Sequence, residues 1–476
     1  MPTIDKISRF LWAAALLTLP VTSFRYFPLL GDDTLVRPLA LYPLALLLPL
    51  MFLRWFRREA PSPWTGSAIL LAAFAAALFM AASLGVLFDP IPLRGQTYLG
   101  RSVRALATLV IGLSFFVSAA WMNRDERDLK FTLRWLLAGL GLNLAWSGLQ
   151  AVTFYTGLLD KEMVTHWQLA FSMRELVRTN RISGLAYEPA WLAGQLATTY
   201  LPVLFAAALT KTRVTRLGWL EPALLVLSAL LLLATYSRGG ILIGFGVAAL
   251  TFLLVGRDVL RRTWAWFVGG FGQGASGWLL RLGTIAVVVT VLAGTFAFLS
   301  QKNYFRRLWE ISADNVTEYL VDINAGSRSA YSVGALAAFD AHPLTGVGPG
   351  ASGFWIYDNL PDWSLTTVPE IARQLNPESR LYPNPKNMYI RLLAEAGLVG
   401  FVLFVVFQFS ILGDALQTLR RGGFSRFLGV AGLFAWLAIA LYNVTQDSFA
   451  TPNLWIIPGI LAGMSMHLSS LQRKTS

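Results

Sequence analysis

Apolar residues dominate the chain in long unbroken runs, separated by short stretches where Arg, Lys, Asp, Gly and Pro gather. Twelve such runs lie near positions 8–24, 38–53, 67–88, 103–122, 133–157, 188–210, 219–235, 238–255, 280–299, 386–412, 427–446 and 452–469. About 20 apolar residues in a helix cover the roughly 30 Å hydrocarbon core of a bilayer, and shorter runs cross by borrowing interfacial residues. The pattern predicts an all-α polytopic membrane protein with about twelve transmembrane helices. Lys6 and Arg9 give the first run the look of a signal peptide, but no small-residue cleavage site precedes the next run, so it is expected to stay as a helix. Between the ninth and tenth runs lies a polar segment of about 85 residues, from Gln301 to Pro385. Structureless loops of that length are uncommon, so this one is expected to fold, partly as helix, and to have a task. The chain thus divides into spans at 1–300, a large loop at 301–385 and further spans at 386–476.

Composition agrees with lipid as the main solvent. Of 476 residues, 55% are hydrophobic and only 14% charged, against roughly 25% charged in soluble domains, and the mean hydropathy is +0.55. Soluble enzymes and nucleic-acid-binding modules are excluded on that basis. The net charge of +13 is then a matter of topology, because Lys and Arg collect in cytoplasmic loops. One set of alternate loops carries Arg54, Arg57 and Arg58; Arg124, Arg127, Lys130 and Arg134; Lys211, Arg213 and Arg216; Arg257, Arg261, Arg262 and Arg281; and Arg420, Arg421 and Arg426. That face is expected to be cytoplasmic together with both termini, which leaves the 301–385 loop on the outer side. There is no cysteine, hence no disulfide framework and no thiolate chemistry, and His166, His342 and His467 are too scattered to bind a metal. Asp32 and Asp33, which follow Gly31, read as a turn rather than as metal ligands.

Several bases break the charge rule. Arg94, Arg101, Arg104, Arg174, Arg178, Arg181, Arg238, Arg328, Arg373, Arg380 and Lys386 all fall on the outer side. Snorkelling or ion pairing explains any one of them. Together they point to an anionic substrate, since guanidinium groups bind phosphate oxygens in bidentate fashion.

Four stretches carry candidate chemistry. In Arg181-Ile-Ser-Gly-Leu-Ala-Tyr-Glu188-Pro189, the proline suits the first turn of a helix, so Glu188 is either a cap at the positive helix end or a functional carboxylate beside Arg181. The turn Thr235-Tyr236-Ser237-Arg238-Gly239-Gly240 puts an arginine close to hydrocarbon on both sides, which calls for an anionic partner. In the large loop, Arg328, Tyr331, Leu336 and Phe339 recur at helical spacing before His342-Pro-Leu-Thr-Gly346-Val-Gly348-Pro-Gly350. This reads as an amphipathic helix entering a turn, with His342 as a turn cap or a base. Finally, Asn387, Arg391 and Glu395 fall on one face of the tenth run, near Lys386 and Tyr389, and predict a polar stripe lining a cavity.

These stretches, in this order and with one large late loop, resemble the bacterial O-antigen ligase and polymerase family of polytopic membrane proteins. The resemblance rests on the Arg181 to Glu188-Pro189 stretch, the Thr-Tyr-Ser-Arg238-Gly turn, the His342 to Gly350 segment and the Asn387-x-Tyr389 to Glu395-x-Gly-Leu-x-Gly block. It implies a GT-C-like fold in the bacterial inner membrane with the active site facing the periplasm. The implied activity is glycosyl transfer from an undecaprenyl-pyrophosphate-linked oligosaccharide, without nucleotide sugar, metal or other cofactor. The implied acceptor is a second lipid-linked glycan or lipid A core, and a chain-length regulator protein is an expected partner. Family ligases resemble one another in a histidine directly before the Asn that serves as base; here that position is Lys386. An ordinary lysine is protonated at neutral pH, so Lys386 acts as a base only if burial strips its proton, and otherwise binds phosphate. This departure favours a polymerase over a ligase. Arg181 and Arg238 are then expected to hold the donor pyrophosphate. Glu188, His342 or Lys386 would be catalytic, and Arg328, Asn387, Tyr389, Arg391 and Glu395 would contact substrate. A lipid-linked glycan flippase is the alternative of another class, against which the rim position of the charges and the lack of an internal repeat both count.

Overall fold

A computed structural model describes residues 2–26, 34–59, 62, 64–88, 90–176, 180–301, 303–306, 315–323, 325–376, 378–379 and 381–475, with the side chains of the last nine left out. Asp32, Asp33, Arg178, Arg380 and the side chain of His467 therefore lie outside the described residues. Among those described, every regular element is helical and the only β pairings are isolated bridges. Helices underlie all twelve apolar runs. They are α1 (Pro2–Thr18), α2 (Leu41–Phe56), α3 (Gly66–Gly85), α4 (Tyr98–Met122) and α5 (Glu126–Tyr155), then, after the short α6 (Lys161–Leu169), α7 (Pro189–Thr210), α8 (Leu220–Ala234) and α9 (Arg238–Val255). A basic, aromatic helix, α10 (Arg257–Gly269), precedes α11 (Gly274–Ser300). The large loop contributes α12 (Val316–Asp322), α13 (Gly326–Ala341) and α14 (Pro369–Leu375), and the chain ends in α15 (Met388–Leu419), α16 (Phe424–Tyr442) and α17 (Ile456–Thr475). Among the described residues, eight helices are long and apolar enough to cross a membrane, and α2 and α8 are shorter apolar helices. The protein is an all-α polytopic membrane protein.

Polar residues next to the apolar runs mark where helices begin. Thr65 accepts from the Ala68 amide at 3.0 Å, Thr97 from Gly100 at 3.2 Å, Asp125 from Asp128 at 2.7 Å and Ser237 from Gly240 at 3.3 Å. Each takes an amide that the first helical turn leaves without a partner. The bundle is centred on α7 and α16. Leu192, Leu196, Tyr200 and Leu204 of α7 and Phe427 and Phe434 of α16 are fully buried, and α16 also packs against α9 and α15. Elsewhere α15 packs on α3, α17 on α4, and α1 on α2 and α5. On α11 only Gly277 and Arg281 are buried, so it lies at the periphery.

The large loop forms a small core of its own. Tyr331, Ala335 and Ala338 of α13 pack with Val347, Ile356 and Ile371, and the cluster takes in Tyr98 of α4 and Ala394 of α15. Its strongest attachment is through the main chain. α15 breaks at Gly397, where φ is 59° and ψ is −164°, and the backbone groups released there are taken up by residues 343–348. The Val347 and Gly348 amides donate to the carbonyls of Ala394 and Glu395, each at 3.0 Å. The Leu398 and Val399 amides donate in turn to Pro343 and Leu344, at 2.8 and 3.3 Å. Unpaired peptide groups are costly in an apolar medium, so the break and the loop stabilise each other. A Cβ at Gly397 would stand 2.4 Å from the Leu344 carbonyl carbon.

Candidate functional site

On the face that carries the large loop, the helices leave a cavity of 1120 Å³. Its wall carries eight basic residues, Arg101, Arg104, Arg174, Arg181, Arg238, Arg328, Lys386 and Arg391, against three acidic ones, Glu188, Glu395 and Asp447, among the described residues. Guanidinium groups entering from several helices around one shared cavity make an anion site with geometric selectivity.

The Arg181 to Glu188 stretch reaches the cavity as irregular backbone held by polar side chains from α5. Gln150 Oε1 accepts from the Ser183 and Gly184 amides at 3.1 and 2.9 Å, and Asn143 Oδ1 accepts from Leu185 at 2.9 Å. Thr22 accepts from the Tyr187 amide at 2.9 Å, and the Ile182 amide donates to the Ala234 carbonyl at 3.2 Å. Glu188 stands at the N-cap of α7, yet its side chain caps nothing. It instead accepts from Arg174 Nη1 at 3.1 Å, while the Arg174 guanidinium lies 5.1 Å from the Tyr187 ring centre. The simple cap reading of Glu188 is thus corrected: Pro189 at N1 has no amide to satisfy, and the carboxylate turns to a cation on the cavity wall.

Arg181 Nε donates to the Thr235 carbonyl at 2.9 Å, which ties the 181–188 stretch to the turn that carries Arg238. Arg238 Nη2 donates to the Ile323 carbonyl at 2.5 Å, and Arg328 Nη1 to the Thr445 carbonyl at 2.7 Å, so the large loop is fastened over the cavity by one arginine of the bundle and one of its own.

The predicted polar stripe on α15 forms only in part. Arg391 Nε donates to Glu395 Oε2 at 2.9 Å, Ser352 Oγ donates to Glu395 Oε1 at 2.8 Å, and Arg391 also bonds the Asp447 carbonyl. Asn387 does not join them, because its side chain caps α15 by accepting from the Tyr389 and Ile390 amides at 3.0 and 3.3 Å. Tyr389 turns towards α16, where its hydroxyl donates to the Ala440 carbonyl at 3.0 Å. Neither Asn387 nor Tyr389 lines the cavity.

Lys386 lines it with its backbone in the left-handed region, φ 52°. Its ammonium pairs with Glu370 Oε1 of α14 at 3.2 Å and lies 5.2 Å from the Tyr331 ring centre, and its amide donates to Asp447 Oδ2 at 2.9 Å. Burial pushes the Glu370 carboxyl up, but a hydrogen bond from Ser327 and the Lys386 charge more than offset this and leave it below the ordinary carboxylate range. His342 is the C-cap residue of α13, with its ring 4.0 Å from that of Phe88, and it does not line the cavity. Sequence reasoning missed Asp447 and the supporting Gln150 and Asn143. The polar positions 143, 147 and 150 within an apolar run were the available signal for the last two.

Fold and site together define a multi-pass α-helical membrane protein with a cationic cavity under a large folded loop. Residues 223–405 match the family model described as O-antigen ligase, which supports an O-antigen ligase/polymerase family for the chain. Members of that family are glycosyltransferase-like ligases and polymerases that act on lipid-linked glycans. The match covers less than half of the chain. It takes in Arg238, Arg328, Lys386, Arg391 and Glu395 and leaves out Arg181, Glu188 and Asp447. No curated protein matches the chain.

Proposed function

We propose that the protein is a glycan polymerase of the bacterial inner membrane, with both termini cytoplasmic and the cavity open to the periplasm. It would join undecaprenyl-pyrophosphate-linked oligosaccharide units into a surface polysaccharide. The observation that carries this reading is the convergence of Arg181, Arg238 and Arg328 with the Glu188 carboxylate around one cavity. Arg181 and Arg238 bind the donor pyrophosphate and stabilise the charge that develops on it as the sugar–phosphate bond breaks. The acceptor hydroxyl attacks the anomeric carbon, its proton passes to Glu188, and the pyrophosphate leaves with the bonding electrons. Charge stabilisation comes from guanidinium groups, and no step calls for a metal.

The ion pair between Lys386 and Glu370 supports a charged, positioning lysine at the place where family ligases carry a histidine base. That favours polymerisation. The ligase reading draws support from the matched family's description, and it differs only in the acceptor, lipid A core. Incubating the purified protein with lipid-pyrophosphate-linked oligosaccharide separates the two. A ladder of products without core lipid is expected; product only when core lipid is added would make the protein a ligase, and no product in either case would overturn glycosyl transfer.

A further inference from the structure

The donor machinery draws on Arg181 and Arg238, and a further pair of cations lines the same cavity from another helix. Arg101 and Arg104 lie three residues apart on the first turns of α4, hence on one helix face, and both line the cavity. α4 packs on α17, α2 and α3, whereas α9, which carries Arg238, packs on α16 and α7, so Arg101 and Arg104 reach the cavity from a different part of the bundle than Arg238.

The Arg101 guanidinium is preorganised. It lies 3.9 Å from the centre of the Tyr382 ring, and its Nε reaches the Gly350 carbonyl at 3.5 Å. The Tyr382 hydroxyl donates to the same carbonyl at 3.0 Å. Burial pushes the Tyr382 phenol up, so it stays protonated and keeps that bond. Arg104 Nη1 donates to Gln96 Oε1 at 3.0 Å. Among the described residues neither arginine forms an ion pair. Of the three acids of the cavity wall, Glu188 bonds Arg174, Asp447 takes the Lys386 amide, and Glu395 bonds Arg391 while its charge also reaches Arg101 through space.

We propose that Arg101 and Arg104, backed by Tyr382, form a second anion subsite that takes a phosphate group of the glycan acceptor. The proposal rests on the glycosyl-transfer reading above. A lipid-linked acceptor carries its phosphate at the end remote from the sugar that attacks, so that phosphate cannot share the donor's site beside the reacting carbon. A second pair of cations answers this geometry, and a cavity of 1120 Å³ is larger than the usual 300–1,000 Å³ or so of a single-ligand pocket. The same chemistry would bind the pyrophosphate of a lipid-linked repeat unit or a phosphate on a core oligosaccharide.

The test is steady-state transfer by the purified full-length protein, with wild type, R104A and R101A/R104A compared. The acceptor KM is expected to rise about tenfold or more in the double variant, with the donor KM within about twofold. Wild type given an acceptor glycan without phosphate should behave like the variant. Lipid-pyrophosphate glycan and phosphorylated core lipid, supplied in separate arms, show which source the subsite selects. An unchanged acceptor KM, or donor and acceptor KM rising together, overturns the proposal. R104A alone, at an exposed position, decides the matter if the double variant does not fold. Should wild type transfer nothing to any acceptor, the functional reading fails. The subsite is then judged by calorimetry with inorganic pyrophosphate: two equivalents bound by wild type and one by R101A/R104A support it, and equal stoichiometry overturns it.

Discussion

Arg238 begins α9 with Ser237 as its cap, and its guanidinium reaches across to a main-chain carbonyl of the large loop. The residue therefore joins two tasks, fastening the loop and presenting charge to the cavity. In the donor role its charge is needed most in the transition state, and removing one such group costs about 100-fold or more in rate. Arg238→Ala should lower chain extension by about that factor with membrane insertion unchanged, as read by product ladders and membrane fractionation. A lysine there should retain part of the activity, having charge without the bidentate fork. Gln150 acts one step further back. Its carbonyl oxygen takes two buried amides of the 181–188 stretch, and each left unpaired costs about 1–3 kcal/mol. Gln150→Ala should lower the unfolding temperature in detergent and the transfer rate together, whereas Arg238→Ala, which gives up one contact to the large loop, should lower the rate far more than the unfolding temperature.

Among the elements, the broken helix α15 sets the form of the site. The break at Gly397 separates the short segment bearing Arg391 and Glu395 from the longer apolar span, and the main chain of 343–348 fills the gap. This gives a physical account of two glycine-rich stretches far apart in sequence. At Gly346, φ is 66° and a Cβ would stand 2.4 Å from the Glu395 carbonyl carbon. Gly397→Ala brings both a left-handed backbone and a main-chain clash, and backbone strain of this kind costs about 1–3 kcal/mol. The expected result is a lower unfolding temperature and freer proteolysis of the large loop, measured on the purified protein. An alanine variant with native stability and protection would mean that the interlock contributes nothing.

For the whole molecule, the large loop is held to the bundle by main-chain bonds, a small apolar core and a few charged contacts. Glu370 is a carboxylate among these, facing Lys386 with Ser327 and Gln374 beside it. A carboxyl depressed in the folded protein adds stability above its unfolded pKa, about 4.3, and that contribution disappears as pH falls through the folded value. Wild type should therefore be more stable than Glu370→Gln at neutral pH, and the difference should shrink as pH falls below about 4. Thermal unfolding of both proteins across pH 3–7 measures it; a difference that does not vary with pH would remove Glu370 from loop docking.

Much was legible in the chain alone because lipid imposes a simple rule: every backbone group must be satisfied within a helix, so long apolar runs become helices where they stand. The helices at 66–88 and 238–255 needed no tertiary information. The bases on the loop face were also legible, since a charge near hydrocarbon requires a reason. What the sequence could not decide was which of those polar residues face one another. Arg181, Glu188, Arg238, Arg328, Lys386 and Arg391 share a cavity because α7, α9 and α15 pack around α16. His342 sits at a helix end against Phe88, Asn387 became a cap, and Tyr389 turned to α16. Helical periodicity gives each residue a face on its own helix. Which neighbour meets that face depends on packing between segments hundreds of residues apart, and only the folded bundle sets that.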